Sequence, residues 1–324
     1  MNRAFPIPVL CLILTSALWG LSFPVVKALH LEQSTRIPGV TSEFLAAWMQ
    51  VGRFGLGALI LLPFFLKRRR PSALELRQGF WLAVWGGAGM ALQADGLAHT
   101  AASTSAFLTQ AYCVILPMIG CLRLRRKPES RTIIATLLVM AGCAVLSGMK
   151  PGDLRIGRGE LETLGASFLF TFQILTLEKS EYRTNRGLTV TFVMCVGIAL
   201  LMLPLAALTA PTPLSLLEAG ASWQSFGLIG VLALFCSVCA FLLMNHWQPR
   251  ISATEAGLIY TMEPVFTGFY VMFLPQWLAS FSGGGYLNEV PGKPMILGGG
   301  MILAANFLMQ LRQKPHRPSI APIP

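Results

Sequence analysis

The sequence predicts an all-α integral membrane protein, with ten transmembrane helices in two inverted five-helix repeats. Three observations lead there. The chain is 54% hydrophobic and 12% charged, against about 25% charged residues in ordinary globular domains, and its mean hydropathy is +0.62. Apolar runs of about 20 residues, the length that crosses the hydrocarbon core of a bilayer, recur along all 324 residues. Short segments of the first half also recur in the second at a nearly constant offset.

The first run, PVLCLILTSALWGLSFPVV (8–26), is longer than the apolar stretch of a cleaved signal and reads as a span over 8–27. Helices 2 and 3 follow over 45–66 and 80–98, separated by the basic loop KRRR. Helices 4 and 5 are expected over 103–122 and 132–149, with RLRRK near their junction. The remaining spans are 159–177, 188–209, 223–244, 254–275 and 294–311. Ten spans return the C-terminus to the side of the N-terminus. If that side is the cytoplasm, inner segments hold 18 Lys and Arg and outer segments 6, with Arg53 inside helix 2. That asymmetry matches the excess of basic residues in cytoplasmic loops. The expected location is the cell (inner) membrane, multi-pass, with both termini cytoplasmic. The net charge of +11 is absorbed by these loops, so no nucleic-acid partner is expected.

STSAFL (103–108), opening helix 4, resembles ATEAGL (253–258), opening helix 9. Leu18-Trp19 of helix 1 falls on Leu169-Phe170 of helix 6, and LLVMAG of helix 5 on MILAAN of helix 10. The halves are therefore 1–150 (helices 1–5) and 151–324 (helices 6–10), with an inserted external loop at 276–292 whose FSGGGYLNEVPGK is rich in breakers. Five is odd, so the second half enters the membrane from the opposite side. This inverted-repeat plan is common in secondary transporters, which bind substrate near the midplane.

These residues resemble the EamA-type branch of the drug/metabolite transporter superfamily. The resemblance is carried by ALWGLSFPVVK in helix 1, RFGLGALILLPF from Arg53, TSAFLTQAYCVILP in helix 4, ATEAGLIYTMEPVFTGF in helix 9 and NEVPGKPMILGGGMILAAN leading into helix 10. It implies two inverted repeats, transport of small metabolites, often outward, and a cavity ringed by helices 1, 3, 4, 6, 8 and 9. The chain departs from the pattern twice. Helix 4 has Pro117, whereas the position equivalent to Pro264 is Val114, and the usual Gly-Glu after helix 9 appears as Asn288-Glu289 after an insertion.

LIYTMEPVFTGF (258–269) carries the main candidate. Glu263 lies roughly 13 Å into helix 9 at 1.5 Å per residue, near the midplane, where a charge costs about 2.5–3.5 kcal/mol on insertion scales. Pro264 removes a helical hydrogen bond and frees a carbonyl. A carboxylate beside a freed carbonyl suits a proton or a substrate amine; the alternative is a structural pair or a hydrogen-bonded kink. Arg53 could pair with Glu263, bind an anionic group, or serve a carbonyl or Glu43. Asp95 and His99, one turn apart at the outer end of helix 3, form an outer-gate pair or simply an interfacial one. Gln93, Gln110, Tyr112, Gln173 and Tyr260 line a cavity or join helices. Trp19 and Phe23, one turn apart on helix 1, are cavity aromatics or packing residues.

The seven cysteines all fall in apolar runs and read as small fillers, including Cys236 and Cys239. No metal site, cofactor or nucleotide loop is implied; GKP (292–294) lacks the Ser or Thr of a phosphate loop. An intramembrane enzyme is disfavoured because there is no HExxH and the four histidines lie far apart. A channel is disfavoured because no selectivity-filter motif repeats. The expected function is a secondary active transporter, not an enzyme, exporting amino-acid-like or drug-like metabolites by alternating access. Partners are a small molecule, the bilayer and protons as a coupling ion.

Overall fold

The computed structural model describes residues 7–68, 70–99, 105, 108–125, 127–146, 157–282, 285–290 and 292–310. These are almost entirely helical, with no strand among them. Twelve helices organise the fold: α1 (Ile7–Arg36), α2 (Ser42–Leu66), α3 (Ala73–His99), α4 (Tyr112–Leu124), α5 (Ser130–Leu146), α6 (Arg158–Glu178), α7 (Gly187–Thr209), α8 (Trp223–Arg250), α9 (Ala253–Tyr260), α10 (Glu263–Tyr270), α11 (Leu274–Ser282) and α12 (Lys293–Gln310). Among the described residues, α1, α2, α7 and α8 are unbroken and apolar enough to cross a bilayer, and the bent α9–α11 run makes a fifth crossing if taken as one span.

Local chemistry sets the ends. Thr41 accepts a bond from the Phe44 amide and starts α2, as Ser222 does for α8. Ser252 and Glu255 form a reciprocal capping box at α9, satisfying two amides that the first turn leaves unpaired. Within α8, Leu232–Cys239 winds as a π-helix, a geometry that leaves carbonyls open to side chains.

Packing follows a definite pattern. Helix α1 lies against α8 and the α9–α11 run, and α3 against α6 and α7. The pairs α2–α7, α5–α12 and α4–α9 also pack directly. Gly142 of α5 lets the backbone of α12 approach; a Cβ there would stand 2.8 Å from the Gly298 carbonyl.

Three local expectations are corrected. The segment expected as one helix over 254–275 breaks at Thr261-Met262 and again at Val271–Phe273, with a 68° bend before α11. At the first break the Thr261 and Met262 amides reach back only three residues, to Leu258 and Ile259, because Pro264 has no amide to continue the ladder. The helix expected over 103–122 is likewise interrupted: the Cys113 and Val114 amides bond to Gln110 and Ala111, although no proline stands at 114. Residues 103 and 104 lie outside the described set. Finally, 276–282 is helix, because the run of breakers begins only at Gly283. The chain beyond doubles back. The Glu289 amide bonds the Val271 carbonyl at 2.9 Å, and the Asn288 side chain exchanges bonds with Gln276 at 2.9 and 3.1 Å.

Candidate functional site

A central cavity with about 930 Å³ of empty space, including its solvent-open part, lies between the helices. Helix α1 contributes Trp19, Ser22, Phe23 and Val26; α2 contributes Met49, Gln50 and Arg53; α3 contributes Met90, Gln93, Ala94 and Leu97. Thr109 and Tyr112 stand on either side of the break before α4, and α6 adds Phe170, Gln173 and Ile174. Phe241 and Met244 of α8, Tyr260 at the end of α9 and Glu263 at the start of α10 complete the wall. Helix α2 was not in the expected ring. Among the described residues, α5 and α12 contribute nothing to the lining.

Nine of the twenty lining residues are aromatic or methionine. Trp19 sits between Phe241 and Tyr260, with ring centroids 5.4 and 5.1 Å apart. Such a surface offers large apolar area and a π face to a cation.

Two charges interrupt it. Arg53 is buried, donating from Nε to the Ser237 hydroxyl at 2.9 Å and from Nη2 to the Cys236 carbonyl at 3.1 Å. Both partners lie in the π-helical stretch of α8. Glu43, the other partner considered for Arg53, instead accepts from Arg158 at 2.9 Å. Glu263 has no ion pair or hydrogen bond to its carboxylate among the described residues. Its backbone is tightly held: Thr267 donates to the Glu263 carbonyl at 3.0 Å and to the Gly20 carbonyl at 3.3 Å. Ser16 reaches the Ile259 carbonyl at 3.3 Å, just before the break. Pro264 is buried behind the wall rather than in it.

The polar candidates separate. Tyr260 donates to Gln248 at 2.8 Å, and Gln248 donates to the Ile174 carbonyl at 2.9 Å, linking α9, α8 and α6. Gln93 donates to Thr109 at 3.0 Å. Gln110 is buried outside the lining and accepts from Tyr112 at 2.8 Å. Gln173 is buried in the wall, and its Nε2 has no partner among the described residues.

Asp95 and His99 lie beyond the cavity wall. Arg158, at the start of α6, bonds Asp95, Glu43 and Glu162 at 2.5, 2.9 and 2.7 Å. The bonds to Glu162 and Glu43 hold Arg158 protonated more firmly than an ordinary arginine. His99 stands 3.9 Å from Asp95. Ligand atoms of Glu43, Asp95 and His99 lie within 4.8 Å of one another, but Arg158 already supplies the positive charge among these carboxylates. The group is an ion-pair network joining α2, α3 and α6. The seven cysteines are free thiols.

Several lining residues escape a reading from sequence. Gln50 is the most polar of them. It stands one turn before Arg53 on α2, and that i, i+3 spacing from a mid-helix charge was the available signal. Met49, Met90, Phe170, Phe241 and Met244 looked like any apolar residue of a span.

The chain matches the EamA-like transporter family twice, over residues 6–148 and again over 158–311. It is 25% identical over 302 residues to a protein of Archaeoglobus fulgidus described as an uncharacterized transporter, covering 93% of this chain and 85% of that one. A solved structure, titled only as the crystal structure of a protein, superposes with a TM-score of 0.67 at 14% identity, covering 94% of this chain and 96% of the other; at that identity the likeness concerns the fold. A multi-pass helical chain with a central cavity, matched by the same family over each half, belongs to the EamA-like transporter family of membrane transporters.

Proposed function

We propose that this protein is a secondary active transporter that exports small amine-bearing metabolites by alternating access, with Glu263 as the group that binds the substrate amine or exchanges a proton. The carrying observation is a carboxylate without a protein partner in the wall of an aromatic cavity. A charge half-buried in an apolar wall and left unpaired is unfavourable. It persists where something else pairs with it, and an ammonium group or a proton is the simplest candidate. The aromatic and methionine lining adapts to amino-acid-like or drug-like bodies, and the guanidinium of Arg53 in the same cavity suits an anionic or dipolar end.

The chain is read as ten spans in two inverted repeats, 1–150 and 151–324, with both termini in the cytoplasm of a cell (inner) membrane. Packing supports this. Exchanging helices 1–5 with helices 6–10 turns the α1–α8 contact into α6–α3 and the α3–α7 contact into α8–α2, and both partners of each exchange are packed. It maps α2–α7, α5–α12 and α4–α9 onto themselves. It also carries the break at Gln110-Ala111 onto the break at Thr261-Met262, 151 residues later. In this orientation the Gln248–Tyr260 and Gln248–Ile174 bonds lie on the cytoplasmic side of the cavity and the Arg158 network on the outer side. Transport of this kind involves no covalent chemistry and no nucleic acid.

The test is counterflow and uphill transport in proteoliposomes with a panel of labelled amines and amino acids. A carrier exchanges substrate, a channel only dissipates a gradient, and an enzyme yields a product. Glu263→Gln keeps shape and hydrogen bonding without a releasable proton. The variant should fold normally, since Arg53 keeps its Cys236 and Ser237 partners. It should lose uphill transport and its pH dependence while retaining some exchange. Normal pH-dependent uphill transport by this variant would remove Glu263 from the mechanism.

A further inference from the structure

We infer that Gln50 and Gln173 are specificity-determining residues that clamp a neutral hydrogen-bonding group on the substrate, so that the preferred amines carry an amide or hydroxyl besides the ammonium. This rests on the reading of the cavity as an amine site.

Both side chains belong to the cavity wall, one from α2 and one from α6. Both are buried, with 1% and 5% of their surface exposed. Neither amide has a hydrogen-bond partner among the described residues: Gln50 Oε1 and Gln173 Nε2 are fully buried and unsatisfied. The other polar side chains of the wall are engaged. Gln93 bonds Thr109, Tyr260 bonds Gln248, Tyr112 bonds Gln110 and Ser22 bonds the Trp19 carbonyl. Among the described lining residues, the fully buried atoms left unsatisfied are therefore these two amide atoms, beside the unpaired carboxylate of half-buried Glu263.

A buried, unsatisfied polar atom is destabilising. Two of them in one cavity form a complementary set: an acceptor for a donor and a donor for an acceptor. A primary amide presents both, and a hydroxyl can serve either. A purely apolar cation meets neither demand and leaves both atoms dry. The site is thus built to reject the analogue that lacks the group, the more discriminating direction of polar recognition.

Gly86 fits the same account. A Cβ at this position of α3 would come within 2.5 Å of Gln173 Nε2. The glycine gives the amide the room it occupies.

The test uses two probes that differ by one group. Phenylalaninamide carries an aromatic body, an ammonium and a primary amide; phenethylamine lacks the amide. Binding to the purified full chain in lipid nanodiscs is measured by calorimetry. The expected result is phenylalaninamide about tenfold tighter than phenethylamine, the yield of one to two net hydrogen bonds. Gln50→Leu and Gln173→Leu should each shrink that ratio by roughly three- to tenfold, by weakening phenylalaninamide or strengthening phenethylamine, with a thermal unfolding midpoint near wild type certifying the fold. Should a leucine variant fail to bind phenethylamine, the methionine variant at the same position replaces it and is read in the same way. A wild-type ratio near one, with phenethylamine bound, overturns the clamp and leaves the amine reading standing. Variants that keep the full ratio also overturn it. If neither amine binds the wild type, the amine reading falls and the clamp falls with it.

Discussion

Gly20→Ala is the sharpest perturbation that the structure offers. Gly20 lies midway along α1, against the start of α10. A Cβ there would stand 2.9 Å from the Phe266 Cβ, 3.0 Å from the Glu263 carbonyl oxygen and 3.0 Å from the Thr267 amide nitrogen. Two of these atoms are backbone and the third is fixed to it, so no rotamer change relieves the contact. Reaching ordinary van der Waals separation requires α1 and α10 to part by about half an ångström, against the Thr267–Gly20 and Ser16–Ile259 bonds. Overpacking of this kind costs about 1–3 kcal/mol. At ~2–4 °C per kcal/mol for a chain of this order, the thermal unfolding midpoint should drop by roughly 2–12 °C. Glu263 would shift with the carbonyl, so transport should fall more than stability explains. Gly55→Ala on α2 is the control: nothing lies within 4 Å of its Cβ, and alanine should be neutral or stabilising by about 0.5–1 kcal/mol. The assay is thermal unfolding of purified protein beside counterflow. A Gly20→Ala protein with wild-type midpoint and transport would refute the close packing of α1 on the break.

Other outcomes follow from the same geometry. Gly86→Ala should press on Gln173 and reduce substrate affinity more than stability, because its nearest neighbour is the end of a side chain; binding and unfolding measured together separate the two effects. Trp19→Ala removes a half-buried ring packed between Phe241 and Tyr260 and should destabilise by about 1–3 kcal/mol, read as a lower unfolding midpoint. At the other end of the fold, Arg186 holds the Glu75 carboxyl down to about 2 through side-chain bonds of 2.7 Å. Because the folded value lies below the unfolded one, this stabilisation is complete above the ordinary glutamate range near 4.3 and is lost as pH falls towards about 2. Glu75→Gln should therefore lower the unfolding midpoint at pH 7 and narrow its gap to wild type as the pH falls below about 4.

The sequence exposed what carries a large local free energy. The apolar runs marked the long helices, because spanning a bilayer demands length and composition together. Glu263 stood out because a midplane charge is costly wherever it points. The break beside it was announced by Pro264. The break before α4 was not, since Val114 stands in the proline's place and three-residue bonds at Gln110-Ala111 are set by packing. The π-helical stretch of α8 left no mark either, although Arg53 depends on its Cys236 carbonyl and Ser237 hydroxyl. The helix Leu274–Ser282 was hidden by proximity to breakers that begin one residue beyond it. In the sequence Gln50 is no different in kind from Gln93 or Gln110, which were named, and only the lack of a partner distinguishes it from them.

The two charges of the cavity make it asymmetric on a scaffold that the proposed repeat makes nearly symmetric. At the offsets of 150 and 151 that relate the halves, Glu263 falls on Cys113 or Tyr112 and Arg53 on Leu203 or Pro204, so neither charge has a charged counterpart. Each half contributes one sign. The Arg53 guanidinium is held by two bonds to α8, whereas the Glu263 carboxylate is held only through its backbone. In an exchange of conformations between the halves, Arg53 should therefore travel with the π-helical stretch of α8, and Glu263 with α1 through Gly20 and Thr267. On the alternating-access reading proposed above, the distance between the two charges is then a quantity that alternation would change. A molecule with an ammonium at Glu263 and a polar or anionic end toward Arg53 senses that change at both ends. An unfunctionalised apolar cation senses it at one. Coupling of substrate to conformation by differential contact in two states thus favours the dipolar molecule for the same geometric reason that Gln50 and Gln173 favour it in binding.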